Sequence, residues 1–537
     1  MDPEKGSTEE RPHKAELQDS GLEPGDKWIH GLQLVNIMAA LTLVCFLVLL
    51  DASIIVTALP RITNDFHSLA DIGWYGAAYQ LSSACFQPIT GKIYALSTPK
   101  WVFLTFFTIF EIGSLVCALA TSSNMLIGGR VVAGVGMAGL LNGILVIIAE
   151  CAPLQKRPIE KSLLQFGHTL TTCLFGQLGL VGGPLIGGLF TQFVTWRWCF
   201  YINLPIGGLV AAMLVFVPVP QQHSRPSARS IFHGFLSHFD LLGFTIVAGA
   251  STMLLLALQL GGSTFSWESS QIIGLFCGAG VAIIVFALWI VRKGDAAIFP
   301  FSMVRKTVVW ISCVVYGLFA GHLYTESYWV PVYFQGVRGA SPALSGVYIL
   351  PMIVAHILCA LSSGPLLKRV GYWIPISLFG AVMIAVGSGL VSTFSPTTST
   401  GKWIGYQIIL GVGRGIGLQM PLIAVQHSVA PAQIPVAMAF VMFGQSFGAA
   451  VCLGLAETIY SNSFRTLIPK YSPGVDVQSV VEAGATGFRA IVPQTSLAGV
   501  LDADSKSIDR FFYLVAGLGV GIFAFSWGLG WKNLKKK

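Results

Sequence analysis

Long apolar runs alternate with short polar breaks along the chain, and within each run the apolar residues are continuous. A helix needs about 20 such residues to cross the hydrocarbon core of a bilayer. A lipid-spanning strand would instead alternate apolar and polar positions over about ten residues, so the runs predict α-helices. Fourteen spans are expected, the first eight over roughly 35–57, 72–94, 101–120, 125–149, 163–190, 198–218, 240–260 and 271–291. The remaining six lie at roughly 307–333, 343–366, 372–394, 402–425, 434–458 and 511–531.

The polar breaks predict how the spans are threaded. Every second break is basic: Lys92 and Lys100, then Lys156, Arg157 and Lys161, then Arg225 and Arg229. Arg292, Lys293, Arg305 and Lys306 follow, and then Lys368 and Arg369, whereas NDFHSLAD and STFSPTTST between them are poor in Lys and Arg. Basic loops stay on the cytoplasmic side, so both ends are expected inside, which requires an even number of spans. Residues of roughly 1–34 read as a disordered cytoplasmic tail without a signal peptide, and roughly 532–537 as a basic cytoplasmic tail. The polar stretch of roughly 459–510 is expected as a long extracellular loop.

Composition narrows the class. Apolar residues form 54% of the 537 and charged residues only 10%. An ordinary soluble domain carries about 25% charged residues, so a soluble chain of this kind would aggregate through its surface. The net charge of +8 lies mainly in loops and ends, and nothing in the sequence reads as a nucleic-acid site. The ten cysteines fall almost entirely within apolar runs, without a CxxC pair or a Cys/His cluster, which argues against a disulfide framework or a metal site. GxSxG, a Walker loop and metal-spaced His sets are missing, so neither an enzyme nor a directly ATP-driven pump is expected, and no cofactor.

GKIYALSTPKW after the second span and GPLLKRVGYW after the tenth are both Gly-led basic turns. Their interval implies a six-span repeat: an N-terminal bundle over roughly 35–218 and a C-terminal bundle over roughly 307–531. Between them lie a cytoplasmic loop and two inserted spans, roughly 219–306. Parallel repeats of this kind are a transporter signature, with the cargo site between the halves. In the fifth span, GQLGLVGGPLIGGLF sets Gly179, Gly183 and Gly187 four residues apart, on one helix face, with Gly188 beside them. Such a stripe admits a neighbouring backbone, and Pro184 removes a donor and permits a kink.

These residues resemble the major facilitator superfamily, in its fourteen-span drug:proton antiporter branch. Gly179, Gly183, Pro184, Gly187 and Gly188 match the branch's antiporter motif in the fifth helix. LLDASIIVTALPRI is similar to its first-span signature, with Asp51, Ala58, Leu59 and Pro60 in register, and GGRVVAGVG to its R-x-x-x-G-x-G motif through Arg130, Gly134 and Gly136. TWRWCFYINLPIGG resembles its sixth span, and YFQGVRG and LQMPLIAVQ look like fungal members that export secondary metabolites and toxins. The gating turns keep Gly91 and Lys100, and Gly364, Arg369 and Gly371. Ala95 and Leu96 stand where the family has Asp and Arg, and Lys368 where the second copy has Asp, which removes the usual first charge latch.

The resemblance implies an all-α membrane protein of the major facilitator fold that exports a small organic molecule against protons. Its partners are then that cargo, protons and the lipid bilayer; it is expected as a monomer in the cell membrane, with the vacuolar membrane as the alternative. Ionisable groups at membrane depth usually mark a pathway. Asp51 is the first candidate for the proton and Arg130 its helper; Glu111, His168, His322, Glu326, Arg414 and Glu457 also fall within predicted spans. His322 and Glu326 are one turn apart, near what reads as the outer, solvated end of their span. Candidate cavity residues are Trp74, Tyr75, Gln80, Gln419, Met420, Gln445 and Glu326. An importer of the same fold, a membrane enzyme and a transport-inactive receptor are the competing readings.

Overall fold

The computed structural model describes residues 32–66, 71–151, 176, 178–179, 182–216, 240–262, 265–430 and 433–534. Among these, twelve helices are long and apolar enough to cross a membrane. They correspond to twelve of the fourteen expected spans. Of the other two, the second is a helix of sufficient length, Ile72–Leu96, interrupted by Pro88 and rich in small and polar residues. The fifth lies largely outside the described residues, together with His168, Cys173, Arg225, Arg229 and the basic group at Lys156, Arg157 and Lys161; its described part is helical over 182–193.

The first helices are α1 (Leu32–Ile54), α2 (Leu59–Phe66), α3 (Ile72–Leu96), α4 (Pro99–Ala118), α5 (Ser123–Cys151) and α6 (Asn203–Val215). Next come α7 (Leu241–Leu260) and α8 (Ser270–Lys293), then α9 (Thr307–Gly336), α10 (Pro342–Tyr348), α11 (Leu350–Val370), α12 (Trp373–Val391) and α13 (Thr400–Gly417). The last are α14 (Met420–Gln426), α15 (Ile434–Tyr471), α16 (Val477–Glu482), α17 (Gly484–Ile491) and α18 (Gln494–Ser526).

Small residues decide where these helices meet. A side chain on Gly113 of α4 would strike the backbone of Ala133 on α5, and one on Gly136 would strike Phe110. In the later helices Gly380 of α12 meets Gly413 and Gly417 of α13 in the same way. Lipid supplies no hydrophobic drive between apolar helices, so close backbone approach and dispersion must hold them together. The pairing of third with fourth helix thus occurs twice, in corresponding places along the chain.

α3 and α15 bring the earlier and later helices together. Near one end Gly91 of α3 lies against Ala439 and the Pro435 carbonyl; midway Ser83 and Ser446 share a hydrogen bond of 3.2 Å. At the opposite end Gly188 packs on the Pro342 carbonyl, and Gly346 on Leu185. The inserted α7 touches both α3 and α15, while α8 packs on α7 and leaves most of its surface exposed, as a lipid-facing helix would. Asp240 anchors this insert: it caps α7 through the Gly243 N–H and accepts from the Trp289 indole and the Ile298 N–H.

Residues 459–510 are not the loop that their polarity implies. α15 runs on to Tyr471, and α16, α17 and α18 follow almost without a break. These helices gather Phe464, Leu467, Ile468, Phe488, Val492 and Val500 into a core of their own, and several polar residues of the segment, Asp504, Ser505, Ser507 and Asp509 among them, are buried as well. Arg489 of α17 donates to the carbonyls of Gly336 and Val337, both at 2.7 Å, satisfying the C-terminal end of α9.

The glycine crossing makes a prediction. Gly113→Leu should separate α4 from α5 and cost about 1–3 kcal/mol or more, as overpacking does. The expected result is a lower melting temperature and loss of the monodisperse peak in detergent, measured beside Gly128→Leu, whose position has open space.

Candidate functional site

Asp51 lies within the apolar run of α1 and is 1% exposed; Arg130 on α5 is 0% exposed. An isolated charge in such a place costs several kcal/mol even after relaxation, so each requires the other. They meet at 2.6 Å, from Arg130 Nη1 to Asp51 Oδ2. The guanidinium is held from three further directions. Its Nε donates to the Tyr75 carbonyl at 3.0 Å, Nη1 also reaches the Asp51 carbonyl at 3.3 Å, and its plane lies 4.0 Å from the centre of the Tyr79 ring.

The second carboxylate oxygen has a partner as well. Asn203, at the start of α6, donates to Asp51 Oδ1 at 3.1 Å and to Ser114 Oγ at 3.0 Å. Five helices (α1, α3, α4, α5 and α6) therefore converge on one carboxylate.

The glycine stripe of the fifth-span segment lies against the same helix. Side chains at Gly179, Gly183 and Gly187 would collide with Phe46, Ser53 and Ile54 of α1, on either side of Asp51. Ser53 Oγ also donates to the Gly179 carbonyl at 3.3 Å. Gly188 faces elsewhere, onto Pro342 of α10. Pro184 is buried within the helical stretch 182–193.

Between α1 and α3 on one side and α9 and α15 on the other lies a narrow cavity. Ser53, Tyr79, Gln80, Tyr324, Ser327 and Tyr328 give it polar edges on otherwise apolar walls. A neighbouring narrow space adds Gln259, Trp329 and Glu457. Both spaces are nearly filled in this closed arrangement, with room for about one water each, and their mixed lining is of the kind that suits an amphipathic organic molecule. Tyr79 connects the cavity to the ion pair, since its ring faces both.

A second buried charge cluster lies among the later helices. Glu326 of α9 is 3.4 Å from Arg414 of α13 and 3.5 Å from His322, one turn away, all at 0% exposure. These are not the solvated residues that their apparent distance from the span's end implied. α9 continues ten residues beyond Glu326, and α13 covers it.

The major facilitator superfamily model matches residues 41–453. The chain belongs to the major facilitator superfamily. Members of that family are transporters, not enzymes. The chain is 52% identical to the MFS-type transporter pigP of Monascus ruber, over 96% of this chain and 89% of that one. It is 46% identical to the efflux pump mlcE of Penicillium citrinum, over 98% and 96%. Among solved structures it resembles a bacterial homologue of the human lysosomal transporter Spinster, with a TM-score of 0.61 at 15% identity, covering 94% of this chain and 97% of that one. A D-xylose–proton symporter matches with a TM-score of 0.57 at 14% identity, covering 94% and 99%. These likenesses establish the helical transporter fold.

The other expected residues of this superfamily member divide by position. Gln80 lines the cavity; Tyr75 is buried beside it but turns its hydroxyl to Ser123 Oγ at 2.8 Å. Trp74 is half-buried; Gln419, Met420 and Gln445 are buried outside the two spaces described. Glu326 faces Arg414 rather than the cavity. At the turns, Lys100 Nζ donates to the Val215 carbonyl at 2.9 Å, which closes the end of α6 onto α4. Gly371 has φ of 79° and caps α11, whose last turn carries Lys368 and Arg369 on its negative dipole end; Gly364 is buried in that helix.

Sequence reasoning missed Asn203, Ser114, Tyr79 and Tyr324. A polar ladder on α9 (His322, Tyr324, Glu326, Ser327, Tyr328) was visible as a run in an apolar span. Nothing in the sequence indicated that Asn203 meets Asp51 with Ser114 behind it, because they are 152 and 63 residues from Asp51.

Removing one member of the ion pair should be worse than removing both. Arg130→Ala leaves Asp51 buried and uncompensated, a loss of about 3–5 kcal/mol, and Asp51→Asn with Arg130→Ala should recover much of it. Thermal unfolding of the purified variants in detergent reads this directly; equal melting temperatures for the single and double variants would contradict it.

Proposed function

We propose that this transporter is a proton-coupled exporter of a small organic compound and works by alternating access. Its fourteen spans form two six-helix halves with α7 and α8 between them, both ends in the cytoplasm. The observation that carries the reading is the buried Asp51–Arg130 pair, the shortest salt bridge among the described residues, on the helix against which the glycine stripe rests. Proton uptake at Asp51 removes its attraction for Arg130, and a fully buried guanidinium without its counter-ion is unstable there. The arrangement of α5 against α1 is then biased, and the two halves change which side they open to.

The exporter direction follows from the names of the relatives, one of them an efflux pump 46% identical to this chain. The cargo that fits the cavity's aromatic and amide edges is amphipathic and of medium size, as a secondary metabolite, toxin or drug would be. The membrane potential contributes roughly 2.3 kcal/mol per proton per 100 mV, enough for a concentration ratio of tens-fold. The protein acts as a monomer in the cell membrane.

Two measurements test this reading. Metabolite profiles of cells with and without the gene identify the compound that is retained, and proteoliposomes loaded with it should exchange it for protons under an imposed pH gradient. In that assay Asp51→Asn is expected to abolish the pH-driven component while retaining binding. Full pH-driven exchange by Asp51→Asn would rule the residue out as carrier. Gly183→Leu is expected to express normally yet stop exchange in both directions, because the stripe can no longer slide on α1; unaltered exchange would remove that role.

A further inference from the structure

We infer that Glu326, with His322, Arg414 and His356, forms a second proton-carrying centre, placed among the later helices as Asp51–Arg130 is among the earlier ones. The inference rests on the proton-coupled reading above. Along the repeat, α9 stands to the later helices as α1 does to the earlier, and α13 as α5. Asp51 and Arg130 are on the first and fourth helices of one set; Glu326 and Arg414 are on the first and fourth of the other. The neighbouring contacts repeat too. Gly134, one turn beyond Arg130, meets the Tyr79 carbonyl of α3, and Gly415, next to Arg414, meets the His356 carbonyl of α11.

The two centres differ in how they are paired, and that difference is chemical. Asp51 has both oxygens engaged, at 2.6 Å and 3.1 Å. Glu326 has one oxygen at 3.4 Å from Arg414 Nη1 and 3.5 Å from His322 Nε2, and its Oε1 is unpartnered. Nε and Nη2 of Arg414 and both ring nitrogens of His322 and of His356 are also buried without a hydrogen-bond partner. Groups left so in a low-dielectric interior are destabilising and call for a functional explanation. A loosely held carboxylate beside an imidazole gains or loses a proton with little rearrangement, whereas a clamped one does not.

The surroundings restrict what this centre can bind. Glu326, His322, His356 and Arg414 are all within 1% of full burial, and none lines the two cavity spaces. In this arrangement an organic cargo has no access to them, so the centre is one for protons rather than for cargo. The charged groups facing Glu326 are His322 from its own helix and Arg414 from α13; His356 on α11 faces Arg414 and His322 from behind. α15 and α18 contribute no charge that acts on Glu326. Protonation places the hydrogen on the Glu326 carboxyl and leaves Arg414 as the one unbalanced charge of the cluster.

Infrared pH-difference spectroscopy of the full-length protein in detergent, without cargo, tests this with the proton itself as the probe. A titrating carboxyl C=O band should disappear in Glu326→Gln and persist in Asp51→Asn. If Glu326→Gln does not fold, the same band in otherwise native protein should change its midpoint in His322→Gln and in Arg414→Lys. A Glu326→Gln spectrum that superposes on that of the native protein overturns the inference, as does a band that neither neighbour moves. Failure of pH-driven exchange with this band intact counts against the exporter reading instead, so the two outcomes are distinguishable.

Discussion

The cost of placing a charge inside a membrane protein organises this fold. Asp51 and Arg130 cannot be left separately in the interior, and neither can Glu326 and Arg414. Each pair forces a first helix and a fourth helix into register, and the intervening helices must then pack around that contact. Tyr75 and Tyr79 from α3, Ser114 from α4 and Asn203 from α6 all supply contacts around the Asp51 pair. A helix set that failed to bring them together would leave an unpaired charge in lipid or in protein interior.

Glycine makes that convergence sterically possible. Helices meet at contact distance at Gly113, Gly134 and Gly136 in the earlier set, and at Gly380, Gly411, Gly413 and Gly415 in the later. Where the fifth-span segment meets α1, three glycines in succession give a nearly side-chain-free interface around Asp51. Movement along such an interface requires few side chains to change rotamer. The cavity lies directly against this region, through Ser53 and Tyr79, so it shares a wall with the ion pair.

α3 and α15 have a different role, as the long contact between the two helix sets. Their packing runs from Gly91 and Ala439 at one end, through the Ser83–Ser446 hydrogen bond, to the Gly76–Tyr328 contact beside the cavity. The opposite rim is closed by Gly188 on Pro342 and by α17 beside α2 and α9. With contacts at both rims, the structure is of a transporter closed around its central cavity. α16 and α17 add a small apolar core at that rim, so that the segment joining α15 to α18 is a packed unit.

The sequence by itself determined that this is an α-helical membrane protein, where most spans lie, and which family's motifs it carries, because each of these is local. Twenty apolar residues are a span wherever they occur, and a glycine stripe is visible within one helix. Asp51 and Arg130 were legible for the same reason: a charge within an apolar run is conspicuous without knowledge of its partner. Partnership was not legible. That Asn203 and Ser114 complete the Asp51 site, and that Arg414 rather than solvent faces Glu326, depends on helices tens to hundreds of residues apart in the chain. Residues 459–510 were misread for a related reason. Their polarity is averaged along the sequence, while burial depends on which side of each helix faces Phe464 and Phe488, and only tertiary packing decides that.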